Sequence, residues 1–179
     1  ISLTDKMHEQ LNQMLDVLNI WRVKHNLTSL TDRREQEIYH VLDSLSAHQY
    51  FTQHESILDV GTGAGFPGIP LAIIYPEKQF HLIDSNGKKI AYLRLLVSTL
   101  GLENVSLYHD RMENINIEVS AITSRAVSSP DKLKAMTNHL NPKSYILYVG
   151  PNCIYPDGSL KKVIVPGSTK SHSILEITT

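Results

Sequence analysis

The feature that most constrains this chain is a glycine-rich turn, Asp59-Val60-Gly61-Thr62-Gly63-Ala64-Gly65-Phe66-Pro67-Gly68, placed directly after the apolar run Ile57-Leu58-Asp59-Val60. A short apolar run of this kind suits a strand buried on both faces of a parallel sheet. The glycines that follow let the backbone turn sharply and come close to a ligand, where any Cβ would collide. A helix expected from about Gly68 to Tyr75 and a second strand, Phe80-His81-Leu82-Ile83-Asp84, complete a strand–turn–helix–strand unit. In a doubly wound sheet such a turn lies at the carboxyl end of the first strand, where ligands bind.

The flanking sequence agrees with that architecture. Lys88–Leu100 reads as a helix closed by Gly101, the residue type that most readily takes the left-handed C-terminal position. Val105–Tyr108 and Val119–Thr123 are expected as strands three and four, Asp131–Leu140 as a helix and Tyr145–Val149 as strand five. Lys161–Val165 and Ser173–Ile177, joined by Pro166-Gly167, read as a final strand pair. Alternating strands and helices ending in a strand pair predict an α/β fold, a mostly parallel sheet with helices on both faces and an antiparallel edge. Before this comes a helical segment. Leu11, Met14, Leu15, Leu18 and Trp21 recur at three- and four-residue steps; after Asn26-Leu27-Thr28-Ser29, Ile38, Val41, Leu42 and Leu45 do the same from about Arg33. Thr31 or Asp32 is placed to cap that second helix. The domain reading is a helical segment over 1–50 and one compact unit over 51–179.

Composition excludes several classes. No stretch approaches the roughly 18 consecutive apolar residues of a membrane span, so no membrane association is expected. Ile1–Gln10 is polar and lacks the apolar centre of a signal peptide. The chain opens on Ile1 rather than Met, which leaves its completeness open. A single cysteine, Cys153, excludes an internal disulfide framework and a thiolate metal cluster and favours a reducing, cytoplasmic setting. With a net charge of −1, nucleic-acid binding would have to use a local basic face.

Two cofactors compete for the turn. Gly63-Ala64-Gly65-Phe66-Pro67-Gly68 fits the dinucleotide fingerprint G-x-G-x-x-G. Asp59, Gly61, Gly63 and Gly65 also fit D-x-G-x-G-x-G, the pattern of S-adenosylmethionine enzymes. A carboxylate at the turn repels a pyrophosphate and suits a ligand that carries an ammonium and a sulfonium. Pro67 and Pro70 remove N–H groups that would cradle phosphate. Asp84, ending the second strand, can accept hydrogen bonds from ribose hydroxyls in either case. The balance favours S-adenosylmethionine, with a nicotinamide-dependent oxidoreductase as the alternative.

Taken with Asn26-Leu27-Thr28-Ser29, His40-Val41-Leu42-Asp43-Ser44, Leu82-Ile83-Asp84-Ser85, Gly87-Lys88-Lys89, Leu93-Arg94, Leu102-Glu103-Asn104 and Ser124-Arg125-Ala126, the run from Asp59 to Pro70 resembles the RsmG family (glucose-inhibited division protein B, GidB), bacterial 16S rRNA guanine-N7 methyltransferases. The resemblance spans roughly Ile1 to Gly150. It implies a Rossmann-like class I S-adenosylmethionine-dependent methyltransferase domain acting on a guanine in the decoding region of 16S rRNA, with the rRNA or the small ribosomal subunit as partner. It implies that Gly61 and Phe66 contact the cofactor, Asp84 holds its ribose, Met112 and Glu113 flank its adenine, and Arg125 stands at the cofactor and substrate site.

Guanine N7 carries a lone pair and no proton, so its attack on a sulfonium methyl requires alignment and exclusion of water and no general base. Arginine reads the O6/N7 edge of guanine. Arg125 and Arg111, both expected at strand carboxyl ends, are therefore assigned to positioning. Asn26, Lys88, Lys89 and Arg94 are the candidate RNA contacts. Arg22, Lys24 and Arg33-Arg34 are further basic residues that could line such a face. His40 and Asp43, three apart on the second helix, are read as structural; two residues alone make no metal site, and no metal is expected. A monomer is the expected state.

Three positions depart from the family pattern by losing positive charge: Tyr39 and Ser171 stand where relatives commonly carry Arg, and Val149 where they carry Lys. A relative that binds cofactor or RNA without turnover is thus a further alternative. Calorimetric titration is expected to give saturable heat with S-adenosylmethionine and none with NAD. Firm NAD binding with the methyl donor ignored would overturn this reading of the turn.

Overall fold

The computed structural model describes residues 1–125 and 128–179. Ala126, the last residue of the Ser124-Arg125-Ala126 match, lies outside the described residues. Strands β1 (Ser56–Val60), β2 (Gln79–Asp84), β3 (Val105–His109), β4 (Ala121–Arg125), β5 (Ser144–Val149), β6 (Ser159–Val163) and β7 (His172–Thr178) form one sheet in the order β3-β2-β1-β4-β5-β7-β6. The first five run parallel, whereas β7 is antiparallel to β5 and to β6. Strand order reverses between β1 and β4, and the crevice outside the carboxyl ends there is where doubly wound sheets bind ligands.

Side-chain alternation along the strands feeds two apolar layers. Ile57, Phe80, Leu82, Ala121 and Ile146 pack on one face, with Leu58, Ile83, Ile122, Tyr145 and Leu147 on the other. The first face receives helices α1 (Asp5–His25), α3 (Gly68–Ile74) and α4 (Gly87–Leu100). The second receives α5 (Pro130–Thr137), which continues as a tighter turn over Asn138–Leu140. Helix α1 buries Leu11, Met14, Leu15 and Leu18, as its periodicity predicts, and Gln10 Nε2 donates to the carbonyl of Leu100 at 2.8 Å. Helix α4 is capped by Asn86 and closed by Gly101 at φ 61°. Among the described residues no helix is long and apolar enough to cross a membrane.

The second helix, α2 (33–45), departs from expectation. Asp32 caps it through the N–H of Glu35, but Glu37–Leu42 is a π turn between the α turns Arg33–Gln36 and Asp43–Leu45. The widened turn rotates the following residues, so Leu42, expected on the core face, is exposed. Ser44 is buried instead, and its hydroxyl donates to the carbonyl of His40 at 2.5 Å.

Two strands shift by two residues each. Strand β4 begins at Ala121 rather than Val119, because its ladder with β1 starts at Ile57↔Ala121 while Val119 packs beneath the sheet from the preceding loop. Strand β6 begins at Ser159 rather than Lys161 and ends at Val163, set by its pairing with β7.

Within the glycine turn, Gly65 sits at φ 92°, and a Cβ there would stand 2.7 Å from Ile69 Cγ1 and 3.0 Å from Leu93 Cδ2. Left-handed strain and overpacking then act together. Gly65→Ala is expected to lower unfolding free energy by about 2–4 kcal/mol in urea denaturation; an unchanged midpoint would show that the turn can relax around the methyl group.

Candidate active site

Asp59, the fourth residue of β1, is fully buried. One carboxylate oxygen, Oδ2, accepts from the Thr62 hydroxyl at 2.8 Å and from the Gly68 N–H at 2.9 Å. The other, Oδ1, has no partner among the described residues. Burial pushes this carboxyl up to about 6, against the opposing pull of the Thr62 and Gly68 donors. The charge that the sequence assigns to the ligand side of the turn is therefore folded beneath it, where it ties β1 to the start of α3. Any effect on a bound cation acts through space.

Above the turn, Asp84 ends β2 with its carboxylate aimed back at the glycines. The Gly63 N–H donates to Asp84 Oδ2 at 3.0 Å and the Asn86 N–H to Oδ1 at 2.9 Å. Lys89 Nζ, from the first turn of α4, lies 3.5 Å from Oδ2. A carboxylate offers about four acceptor positions, so capacity remains for hydroxyls of a ligand. Asp84 forms one wall of a cavity of about 410 Å³, together with Gly61, Lys89, Arg111, Met112 and Glu113. Val60, Ile83 and Met136 make its apolar side. That volume is in the usual range for a small-molecule or cofactor site. A larger cleft of about 640 Å³ opens among Lys6, Gln79 and Glu103, at the amino ends of the strands. Ligands of this architecture bind at the carboxyl ends, so the smaller cavity is the candidate.

A second cluster stands on the opposite side of the turn. Phe66 is buried, with the His40 ring stacked on it at 4.5 Å and the Arg125 guanidinium 5.3 Å from its ring centre. Arg125, the last residue of β4, donates from Nη1 to Asp43 Oδ2 at 2.9 Å and to the Tyr39 carbonyl at 3.2 Å. His40 is held down to about 4 by burial first and by the Arg125 charge second.

A family model for GidB, rRNA small subunit methyltransferase G, matches residues 7–150. The chain belongs to the GidB family. Among GidB relatives, each named ribosomal RNA small subunit methyltransferase G, it is 42% identical over 142 residues to that of Aeromonas hydrophila, covering 78% of this chain and 66% of the relative. It is 43% identical over 138 residues to that of Hydrogenovibrio crunogenus, covering 76% and 63%, and 37% identical over 165 residues to that of Aeromonas salmonicida, covering 91% and 78%. The chain thus spans slightly less than two thirds of the first two relatives' length. A SAM-dependent methyltransferase structure from Aquifex aeolicus superposes with a TM-score of 0.61 at 19% identity, over 86% of this chain and 97% of that one. The magnesium protoporphyrin IX methyltransferase of Synechocystis, with bound SAM, gives 0.59 at 16% identity over 98% and 97%. At such identities the likeness concerns the fold, which is that of the class I S-adenosylmethionine-dependent methyltransferases.

In this GidB chain the sequence-predicted residues divide into three groups. Gly61, Asp84, Arg111, Met112 and Glu113 share the cavity, and Lys89, expected on the RNA face, lies in its wall beside Asp84. Asp59, Gly63, Gly65, Phe66 and Arg125 shape the turn and its far side. Asn26 is exposed as the left-handed cap of α1, and Lys88 and Arg94 are exposed on α4. His40 and Asp43 do not bond each other; Arg125 lies between them, with Nη2 3.4 Å from His40 Nδ1. Sequence reasoning missed that cluster, although His40 through Ser44 was one of the matching stretches.

The pH dependence of Asp59 can be worked out in sign. Its folded-state value, about 6, lies above the ordinary 3.8, so the folded protein holds this proton more tightly than the unfolded chain. Stability from this group is present at low pH and lost as pH rises through 6. The loss is on the order of 2–3 kcal/mol. Asp59→Asn keeps an acceptor for Thr62 and Gly68 but has no charge to bury. Denaturant unfolding across this range should show the decline flattened in the variant, and an unaltered or steeper decline would contradict the assignment.

Proposed function

We propose that this chain binds S-adenosylmethionine in the cavity beside Asp84 and transfers its methyl group to N7 of a guanine in 16S rRNA of the small ribosomal subunit. The observation that carries this reading is the Asp84 carboxylate, fixed by the Gly63 and Asn86 amides on the rim of a cavity at the carboxyl ends of β1 and β2, in a chain of the GidB family. Its relatives are named for ribosomal RNA methylation. The nicotinamide alternative gains no support from the family.

The residues present fit the donor. Asp84 suits ribose hydroxyls as a doubly anchored acceptor, Met112 and Ile83 give apolar walls for a flat purine, and Glu113 and Asp84 favour a cationic ligand over a diphosphate. When bound, S-adenosylmethionine supplies an electrophilic methyl group on a positively charged sulfur. The protein's own contribution is alignment. Gly61 and Gly63 leave room for close approach, and the apolar wall excludes water. Arg125 at the end of β4 supplies donors for guanine O6 or the adjoining phosphate, and Arg111 on the cavity rim assists. No side chain needs to remove a proton, because N7 has none. Asn26, Lys88 and Arg94 are proposed as outer RNA contacts, while Lys89 serves the cavity through Asp84.

Tyr39, Val149 and Ser171 are the observation that favours the reading without turnover, since each lacks the expected charge. One experiment separates the two. Small ribosomal subunits lacking the modification are incubated with labelled S-adenosylmethionine and the label is mapped by mass spectrometry. Label on a guanine N7 is expected, and an absence of label on any rRNA would favour a binding-only protein. Asp84→Ala should weaken donor binding about 10- to 100-fold, the size expected for hydrogen bonds to a charged group. Arg125→Ala should cut turnover while donor binding persists. Donor affinity unaffected by the Asp84 change would remove the cavity from consideration.

A further inference from the structure

Arg125 is held by a relay through α2 that reaches beyond the family-matched region. Its Nη1 bonds one oxygen of Asp43, Oδ2, at 2.9 Å. The other oxygen, Oδ1, lies 3.0 Å from Nδ1 of His172. His172 opens β7, past residue 150 where the family match ends.

Proton accounting defines what His172 does. The Ser46 hydroxyl has one proton, which it donates to the Asp43 carbonyl at 2.6 Å. The same oxygen lies 3.2 Å from His172 Nε2. Nδ1 faces a carboxylate oxygen, which only accepts, so Nδ1 donates to it. His40 is arranged in the opposite sense. Its Nδ1 faces Arg125 Nη2, which has no lone pair to offer, so Nδ1 accepts and the ring proton lies on Nε2, 2.7 Å from Thr28 Oγ1. One histidine accepts from the guanidinium; the other donates to its carboxylate.

The relay is also oriented. The His172 ring stacks on Tyr148 at 6.0 Å and 26°, and the buried Tyr148 hydroxyl donates to the Ser44 carbonyl on α2. Arg125, Asp43 and His172 are all mostly enclosed, with side chains 17–22% exposed. Without a donor on Oδ1 the carboxylate is at liberty to rotate and present either oxygen or neither.

We propose that His172 is a positioning residue for Arg125, acting through Asp43: it pins one carboxylate oxygen so that the other holds the guanidinium at the end of β4. The inference rests on the reading of Arg125 as the group that aligns the substrate.

The test uses two amides of matched chemistry. In His172→Asn the side-chain nitrogen falls where Nδ1 stood, facing Asp43; in His172→Gln it falls where Nε2 stood, facing Ser46. Neither can stack as imidazole does, and thermal unfolding measures the packing each one loses. In protein labelled with ¹⁵N-arginine, the Arg125 guanidinium resonance is assigned by its disappearance in Arg125→Lys. Slow exchange of that resonance is expected in the wild type and in His172→Asn, and its loss in His172→Gln. Methyl transfer should follow, with kcat of the Asn form within about threefold of wild type, that of the Gln form reduced about tenfold, and donor Kd unchanged in both.

Equal behaviour of the Asn and Gln forms, or retention by Gln and loss by Asn, overturns the proposal. Thermal unfolding accompanies each variant, and failure of both to fold would mark His172 as a packing support, which also overturns it. If the resonance behaves as expected while Arg125→Ala turns over at the wild-type rate, the positioning stands and the catalytic reading of Arg125 falls.

Discussion

A carboxylate shut away from water holds the central turn together. Removing an ion from water costs several kcal/mol even after relaxation. Asp59 offsets this with the Thr62 hydroxyl and the Gly68 amide. Those two bonds draw the first residue of α3 back against the end of β1, and the intervening glycines have no freedom to open outwards. The space is tight: a Cβ on Gly68 would lie 2.8 Å from Asp59 Oδ2. With the turn so fixed, the Gly63 amide points at Asp84, and Phe66 is presented on the other side to His40 and Arg125. One buried group thereby sets the geometry of both clusters.

Much of this was legible from local pattern. The order of strands and helices, the glycine turn at the end of β1 and the acid ending β2 all follow from periodicity and turn chemistry, which operate over a few residues. The grouping of Gly61, Asp84, Met112 and Glu113 around one cavity follows from the carboxyl-end rule for parallel strands together with the family resemblance. What escaped has a different origin. The π turn in α2 has no sequence signal in amphipathic spacing, and it alone moved Leu42 outwards and Ser44 inwards. Lys89, a candidate RNA contact by sequence, instead stands 3.5 Å from Asp84, because the bend between β2 and α4 brings the two together. The partners of Arg125 lie far away in sequence: Asp43 is 82 residues distant, and no local rule links them.

The helical segment and the tail meet beside Arg125. Tyr39, which lacks the charge expected of it, bonds Thr169 through its hydroxyl at 3.2 Å, and the Lys170 ammonium stands 5.0 Å over its ring. The tail therefore carries a cation close to the surface where the α2 charge is missing. An aromatic ring beneath an ammonium contributes about 0.5–1 kcal/mol at an exposed position, enough to bias where the lysine rests. Positive charge beside Tyr39 is thus supplied by Lys170 of the tail.

Strand β6 closes the sheet on the side away from β3, and its residues Ser159 to Lys162 are exposed. An outermost strand offers an unpaired row of backbone donors and acceptors to any extended segment that drifts alongside. Here two neighbouring lysines, Lys161 and Lys162, occupy that row. Because consecutive side chains point to opposite faces, the pair guards both surfaces of the border at once. An intruding strand would have to dehydrate an ammonium whichever face it covered, so the sheet ends where the chain ends it.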